Sequence, residues 1–154
     1  MPDWSDGEIY LGENEYGFSR TMLGFPSISA CRAIVYQTTE GLFGFHQASG
    51  AHPGKFEGFG TKFAGFVTDH PQGNGIGLDL YVTGKVGAGS SYGLGHAGAL
   101  EHMAEMKAFA DGLRFTGTVR SYDLSFKWAN VGVYVNVTAV AGVCEIHCNP
   151  WVEH

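Results

Sequence analysis

The chain is poor in charge. Asp, Glu, Lys and Arg make up 16% of its 154 residues, and their balance is acidic, at −6 net. It has no Lys or Arg cluster, which argues against nucleic acid as a partner, because binding a phosphate backbone depends on such clusters. Long hydrophobic runs are also missing. No stretch approaches the ~18 apolar residues of a membrane span. The closest, residues 131–143, is interrupted by Asn136, Thr138 and two glycines. The amino terminus, MPDWSDGEIYLGENEYG, has neither a basic n-region nor an apolar h-region, so no secretory signal is expected there. Cysteine is scarce. An odd count of three leaves at least one thiol free. This points to a cytoplasmic protein, or to one secreted by a signal-less route. No repeat, low-complexity tract or linker is visible. At roughly 100–200 residues per domain, residues 1–154 are expected to form a single domain.

Glycine and apolar residues are plentiful, at 24 residues and 44% of the chain. The glycines show no Gly-X-Y period, which excludes collagen, and they imply many turns and close backbone approaches. Residues 8–11 and 16–20 read as short strands around a turn. Residues 27–37 are β-branched and aromatic and read as one strand. Residues 38–41 then form a turn, and residues 42–47 return as the hairpin partner. Phe56, Phe59, Phe63 and Phe66 recur at helical spacing behind Pro53. Residues 76–82 alternate as a strand, 84–95 form a Gly-rich loop, and 99–113 carry an apolar helical stripe. Residues 114–124, 131–137 and 143–148 read as further strands. The order predicts an α+β fold, a β-sandwich or mixed sheets with flanking helices.

Three constellations invite a chemical reading. The loop GKVGAGSSYGLG lies between a strand and a helix, the context of a phosphate-binding turn. Its spacing, Gly87-x-Gly89-x-x-x-Gly93, is not the dinucleotide fingerprint, and the chain has no G-K-[ST]. The segment Cys144-Glu-Ile-His-Cys148 suggests zinc, but strand parity puts both thiols with Ile146 on one face and Glu145 with His147 on the other. At ~3.3 Å per residue the two cysteines lie ~13 Å apart along the strand, too far for a disulfide. His96 and His102 are spaced six apart, which is not one helical turn.

Cys31 and His46 form the third. If the turn sets Gln37 opposite Leu42, paired residue numbers sum to 79, and His46 falls opposite Ala33. Cys31 and Ala33 share a face, so Cys31 and His46 become diagonal neighbours, ~7–8 Å apart at the backbone. Slipping the register by one residue would separate them. A thiol is mostly protonated near neutral pH; an adjacent imidazole draws off its proton and can later protonate a leaving amine.

Ile28-Ser29-Ala30-Cys31, a short β-run, a turn, and His46 fifteen residues after the cysteine resemble the Cys–His protein glutamine deamidases. That group includes the catalytic domains of cytotoxic necrotizing factors, Burkholderia lethal factor and the chemotaxis-receptor deamidases. The order of elements over residues 23–125 is similar to the chemotaxis enzymes. Ala30 stands where the toxin motif has Gly, and Phe25 where the chemotaxis enzymes have Thr, so the third, orienting group stays unassigned. The resemblance implies a deamidase-toxin-like fold, with Cys31 and His46 catalytic and Ser29 supporting the site. It implies a glutamine (or asparagine) side chain of a partner protein as substrate, and neither metal nor organic cofactor. It leaves the oligomeric state open. A related thiol protease or acyl transferase is one alternative. Another is a non-enzymatic interaction module displaying Trp4, Tyr10, Tyr16 and Phe43.

Overall fold

The computed structural model describes residues 8–28, 31–47, 56–84, 95–124, 132–140 and 142–150. The strands are β1 (Glu8–Tyr10), β2 (Tyr16–Ser19), β3 (Met22–Ile28), β4 (Arg32–Thr38), β5 (Gly41–Gln47), β6 (Gly77–Gly84), β7 (Val119–Asp123), β8 (Val133–Val140) and β9 (Val143–Pro150). The helices are α1 (Phe56–Asp69), between β5 and β6, and α2 (Gly95–Leu113), between β6 and β7. The strands form a four-stranded sheet of order β1-β3-β8-β9 and a five-stranded sheet of order β2-β5-β4-β6-β7. This is the mixed, strand-rich α+β content expected.

The two sheets face each other across an apolar core. Leu23, Phe25, Val133, Val135 and Val137 of the first sheet meet Ala33, Val35, Leu42 and Tyr81 of the second. The clean alternation of β8 follows from this, since Val133, Val135 and Val137 point inward and Tyr134, Asn136 and Thr138 point out. The other face of the five-stranded sheet carries Phe18, Ile34, Phe43, Phe45, Leu80 and Val82 against Phe63 and Val67 of α1 and Phe109 and Ala110 of α2. Every residue of β4 is therefore buried, because one face meets a sheet and the other meets helices. Of the α1 phenylalanines with described side chains, Phe63 is in the core, while Phe66 is half-buried beside Tyr16 and His70.

Two sequence boundaries are corrected. Residues 27–37 are not one strand. The chain pairs as β3 up to Ile28 and re-enters as β4 in the other sheet at Arg32. The register of β3 on β8 shifts between Phe25 and Ile28, around Pro26, which has no N–H to give to the ladder. Residues 114–118 are not strand either. Arg114 ends α2 in the left-handed region (φ 54°), and Phe115 N–H closes on the carbonyl of Ala110.

Gly44 faces the other sheet at its closest approach. A Cβ there would lie 2.6 Å from Leu23 Cδ1 and 3.0 Å from both Leu11 Cδ1 and Phe25 Cζ. Gly44→Ala is expected to destabilise the fold by about 1–3 kcal/mol through overpacking, read as a lowered urea midpoint with an unchanged slope.

Candidate functional site

The β4–β5 hairpin closes with Thr38 opposite Gly41, so Thr39 and Glu40 form a two-residue turn. Gln37 pairs with Leu42 and Ala33 with His46, the register in which pair numbers sum to 79. Cys31, one residue before β4, therefore lies on the same face as His46, the face toward the four-stranded sheet. Thr83 of β6 pairs with Ala33 from the other side. His46, Ala33 and Thr83 form one row across three strands, with a small side chain in the middle.

Two passages of the chain from one sheet to the other meet at this end. One runs from β3 to β4 and delivers Cys31. The second runs from β1 to β2 through residues 11–15 and wraps His46. Leu11 N–H donates to the carbonyl of Gly24 in the first sheet (2.8 Å), and Asn14 N–H donates to the carbonyl of His46 in the second (2.7 Å). His46 N–H donates in turn to the carbonyl of Glu15 (3.1 Å). Glu15 N–H closes a turn on the carbonyl of Gly12 (3.0 Å), and the Glu15 carboxylate accepts Gly12 N–H (2.7 Å). Asn14, third in that turn, has φ 61°, a conformation asparagine tolerates better than most side chains.

This passage places two groups on the candidate pair. His46 Nδ1 lies 2.7 Å from the carbonyl oxygen of Leu11. A carbonyl only accepts, so the proton sits on Nδ1 and the lone pair of the neutral ring is on Nε2. Nε2 is buried and has no hydrogen-bond partner among the described residues. An unpaired buried polar atom costs about 1–3 kcal/mol, and such atoms are uncommon in folded proteins. The other group is Glu13, whose Oε1 accepts the Cys31 thiol at 3.6 Å. The thiol and Nε2 share a face but are not hydrogen-bonded to each other. Cys31 is 3% exposed and His46 1%.

Burial pushes the His46 pKa below its ordinary value, because a charged ring would lose its hydration. The Leu11 bond and the charges of Glu13 and Glu15 pull in the opposite direction, less strongly. The ring is therefore neutral at neutral pH, the form in which an imidazole acts as a base. Ser29, the expected supporting residue, lies outside the described residues, as does Ala30. The Leu11 carbonyl supplies an orienting group for the imidazole that the sequence left unassigned. No residue type marks a backbone carbonyl, so no signal in the sequence could have found it. Glu13 sits in a turn and reads there as an ordinary solvated acid.

The remaining constellations do not gather. Cys144, Cys148 and Ile146 pack toward the core, while His147 points outward and pairs with Glu145 at 3.2 Å. Burial raises the pKa of both thiols, and Cys144 also bonds the Tyr81 hydroxyl. None of the three cysteines is in a disulfide. Among the described residues no three His, Cys, Asp or Glu side chains could hold a metal ion. The Gly-rich segment 85–94 lies outside the described residues, although a strand and a helix flank it as expected. Of the aromatics considered for a surface, Tyr10 is 57% exposed, Tyr16 is half-buried on Phe45 and Phe43 is in the core. Trp4 lies outside the described residues. No helix among the described residues is long and apolar enough to cross a membrane. No family model matches the chain, and no curated protein is significantly similar to it.

The depressed His46 pKa makes a stability prediction. The unfolded chain takes up a proton near the ordinary value of 6.5, whereas the folded ring resists until lower pH. Unfolding therefore binds protons in that window, and stability falls as pH drops through it. His46→Gln keeps a donor for Leu11 but does not titrate. It is expected to flatten that part of the urea-midpoint profile between neutral and mildly acidic pH.

Proposed function

We propose that the protein is a thiol hydrolase that deamidates a glutamine (or asparagine) side chain of a partner protein. One observation carries the reading. The bond from His46 Nδ1–H to Leu11 leaves Nε2 as an unengaged base on the face it shares with Cys31. A hydrogen bond that fixes the tautomer and direction of an imidazole is what a Cys–His pair requires of its third member.

The chemistry balances with these groups. Nε2 takes the thiol proton as Sγ attacks the carboxamide carbon. Backbone N–H groups near Cys31 hold the oxyanion. The imidazolium gives its proton to the amide nitrogen, the C–N bond breaks and ammonia leaves, with a thioester on Cys31. Water then attacks the thioester with Nε2 as base, and the proton returns to sulfur as the carboxylate product departs. Ser29, two residues before the nucleophile, is the residue assigned to support the site. No step draws on a metal or an organic cofactor. The strand pair supplies the geometry, and the segments that leave β3, β5, β6 and β7 all do so at this end, where a protein substrate has to dock.

The test compares wild type, Cys31→Ser and His46→Gln on a mixture of cellular proteins, with Gln-to-Glu conversion read by mass spectrometry and ammonia release in parallel. Wild type is expected to create new Glu sites with matching ammonia. Both variants are expected to lose at least ~100-fold in rate, the low end of a general-base contribution. Conversion by Cys31→Ser equal to that of wild type overturns the reading.

A further inference from the structure

We infer that the Glu13 carboxylate is a latch that holds the Cys31 thiol off His46, so that the nucleophile rests uncoupled from its base. This rests on the Cys31–His46 reading above and adds a positioning residue to it. The thiol proton is directed at Glu13 Oε1, while Nε2, on the same face, has no partner among the described residues. The thiol therefore has the wrong acceptor for catalysis. Cys31 is only 3% exposed in this resting arrangement.

The moving part is one side chain rather than a loop. The backbone of residues 11–15 is held at both ends, by Gly24 on one side and by two bonds to His46 on the other, and the turn is closed by Glu15 on Gly12. The Glu15 carboxylate is already committed to Gly12 N–H, so it does not replace Glu13. Glu13 itself is exposed, so its side chain can swing into water. Leu11 keeps its hold on Nδ1 throughout, because that contact belongs to the pinned backbone. Once Glu13 leaves, rotation about the Cys31 side chain turns the thiol toward Nε2. The proton passes from sulfur to ring nitrogen, and the thiolate stands against an imidazolium instead of a carboxylate. An incoming substrate amide, which offers N–H donors, can draw Glu13 away as it fills the space.

Iodoacetamide labelling of each cysteine in the intact folded protein, near neutral pH, tests this without a substrate. Cys144 and Cys148 serve as slow internal references. Glu13→Ala is expected to label Cys31 about tenfold faster than wild type, the lower end of what a hydrogen bond to a charged acceptor is worth. Glu13→Asp keeps the charge but falls one methylene short of the sulfur, and is expected to behave like Glu13→Ala. In a His46→Gln background the gain should vanish. The latch is overturned if Glu13→Ala labels no faster than wild type. It is also overturned if Glu13→Asp matches wild type, since the charge rather than the contact would then be acting. Unchanged acceleration without His46 overturns it too, as simple unmasking. If Cys31 labelling ignores His46 in every background, the Cys–His reading itself fails. A flat Glu13 series in which His46→Gln still slows Cys31 removes the latch alone.

Discussion

The hydrogen bond from His46 to the carbonyl of Leu11 ties the fold to the site. It spans 35 residues of sequence and joins the passage between the sheets to the end of β5. A neutral imidazole has one proton and two nitrogens, so whichever nitrogen is committed decides what the other can do. With Nδ1–H on a carbonyl, Nε2 becomes a base by elimination. The same contact satisfies a buried polar group that would otherwise destabilise the sheet interface. Structure and chemistry thus draw on one interaction, and the passage that provides it is fastened to both sheets.

The β4–β5 hairpin was legible because two independent constraints agree on it. A two-residue turn permits few registers, and only one of them puts Ala33, Val35 and Leu42 on the face toward the other sheet. The relation of Cys31 to His46 follows from that register alone. The neighbouring strand β3 was hidden because Gly24 and Pro26 both lie inside it, and each normally argues against a strand. Both have a place here. Gly24 accommodates the rings of Tyr10 and Tyr134, and Pro26 lies where the ladder already shifts register. The segment after α2 was misread for another reason. Its one apolar side chain, Phe115, is half-buried edge-on to Tyr36 at 5.7 Å from an otherwise exposed loop, and a single anchored ring leaves no period that separates a loop from a strand.

Within the site, side chains on regular strands were readable and groups supplied by a turn were not. His46 belongs to a ladder and Cys31 directly precedes one, so position implies direction. Leu11 contributes through its backbone, and Glu13 through a turn whose course is set by a left-handed asparagine and by bonds to His46, far away in sequence. None of that leaves a periodic trace in the sequence.

Buried polar side chains gather where these strands meet that end. Arg32 and Gln47 pair across the strands on the face toward the helices, while His46 and Thr83 lie on the opposite face, and all four are almost wholly buried. In the middle of the same strands both faces are apolar, with Ile34 and Phe45 toward the helices and Val35 toward the other sheet, and buried polar side chains return at the far end with Gln37, Thr38 and Ser19. A fold selected for stability alone would continue the apolar rows to their ends, since burying polar groups costs free energy even when they are bonded. Polar burial therefore falls at both ends of this sheet, but at the far end Gln37 donates to the carbonyl of Gly142 and Thr38 to that of Gly41, whereas at the near end His46 Nε2 has no partner among the described residues. The unsatisfied His46 nitrogen lies at the end that holds the Cys31 thiol, and the reactivity we propose for that pair would account for a cost that stability alone does not explain.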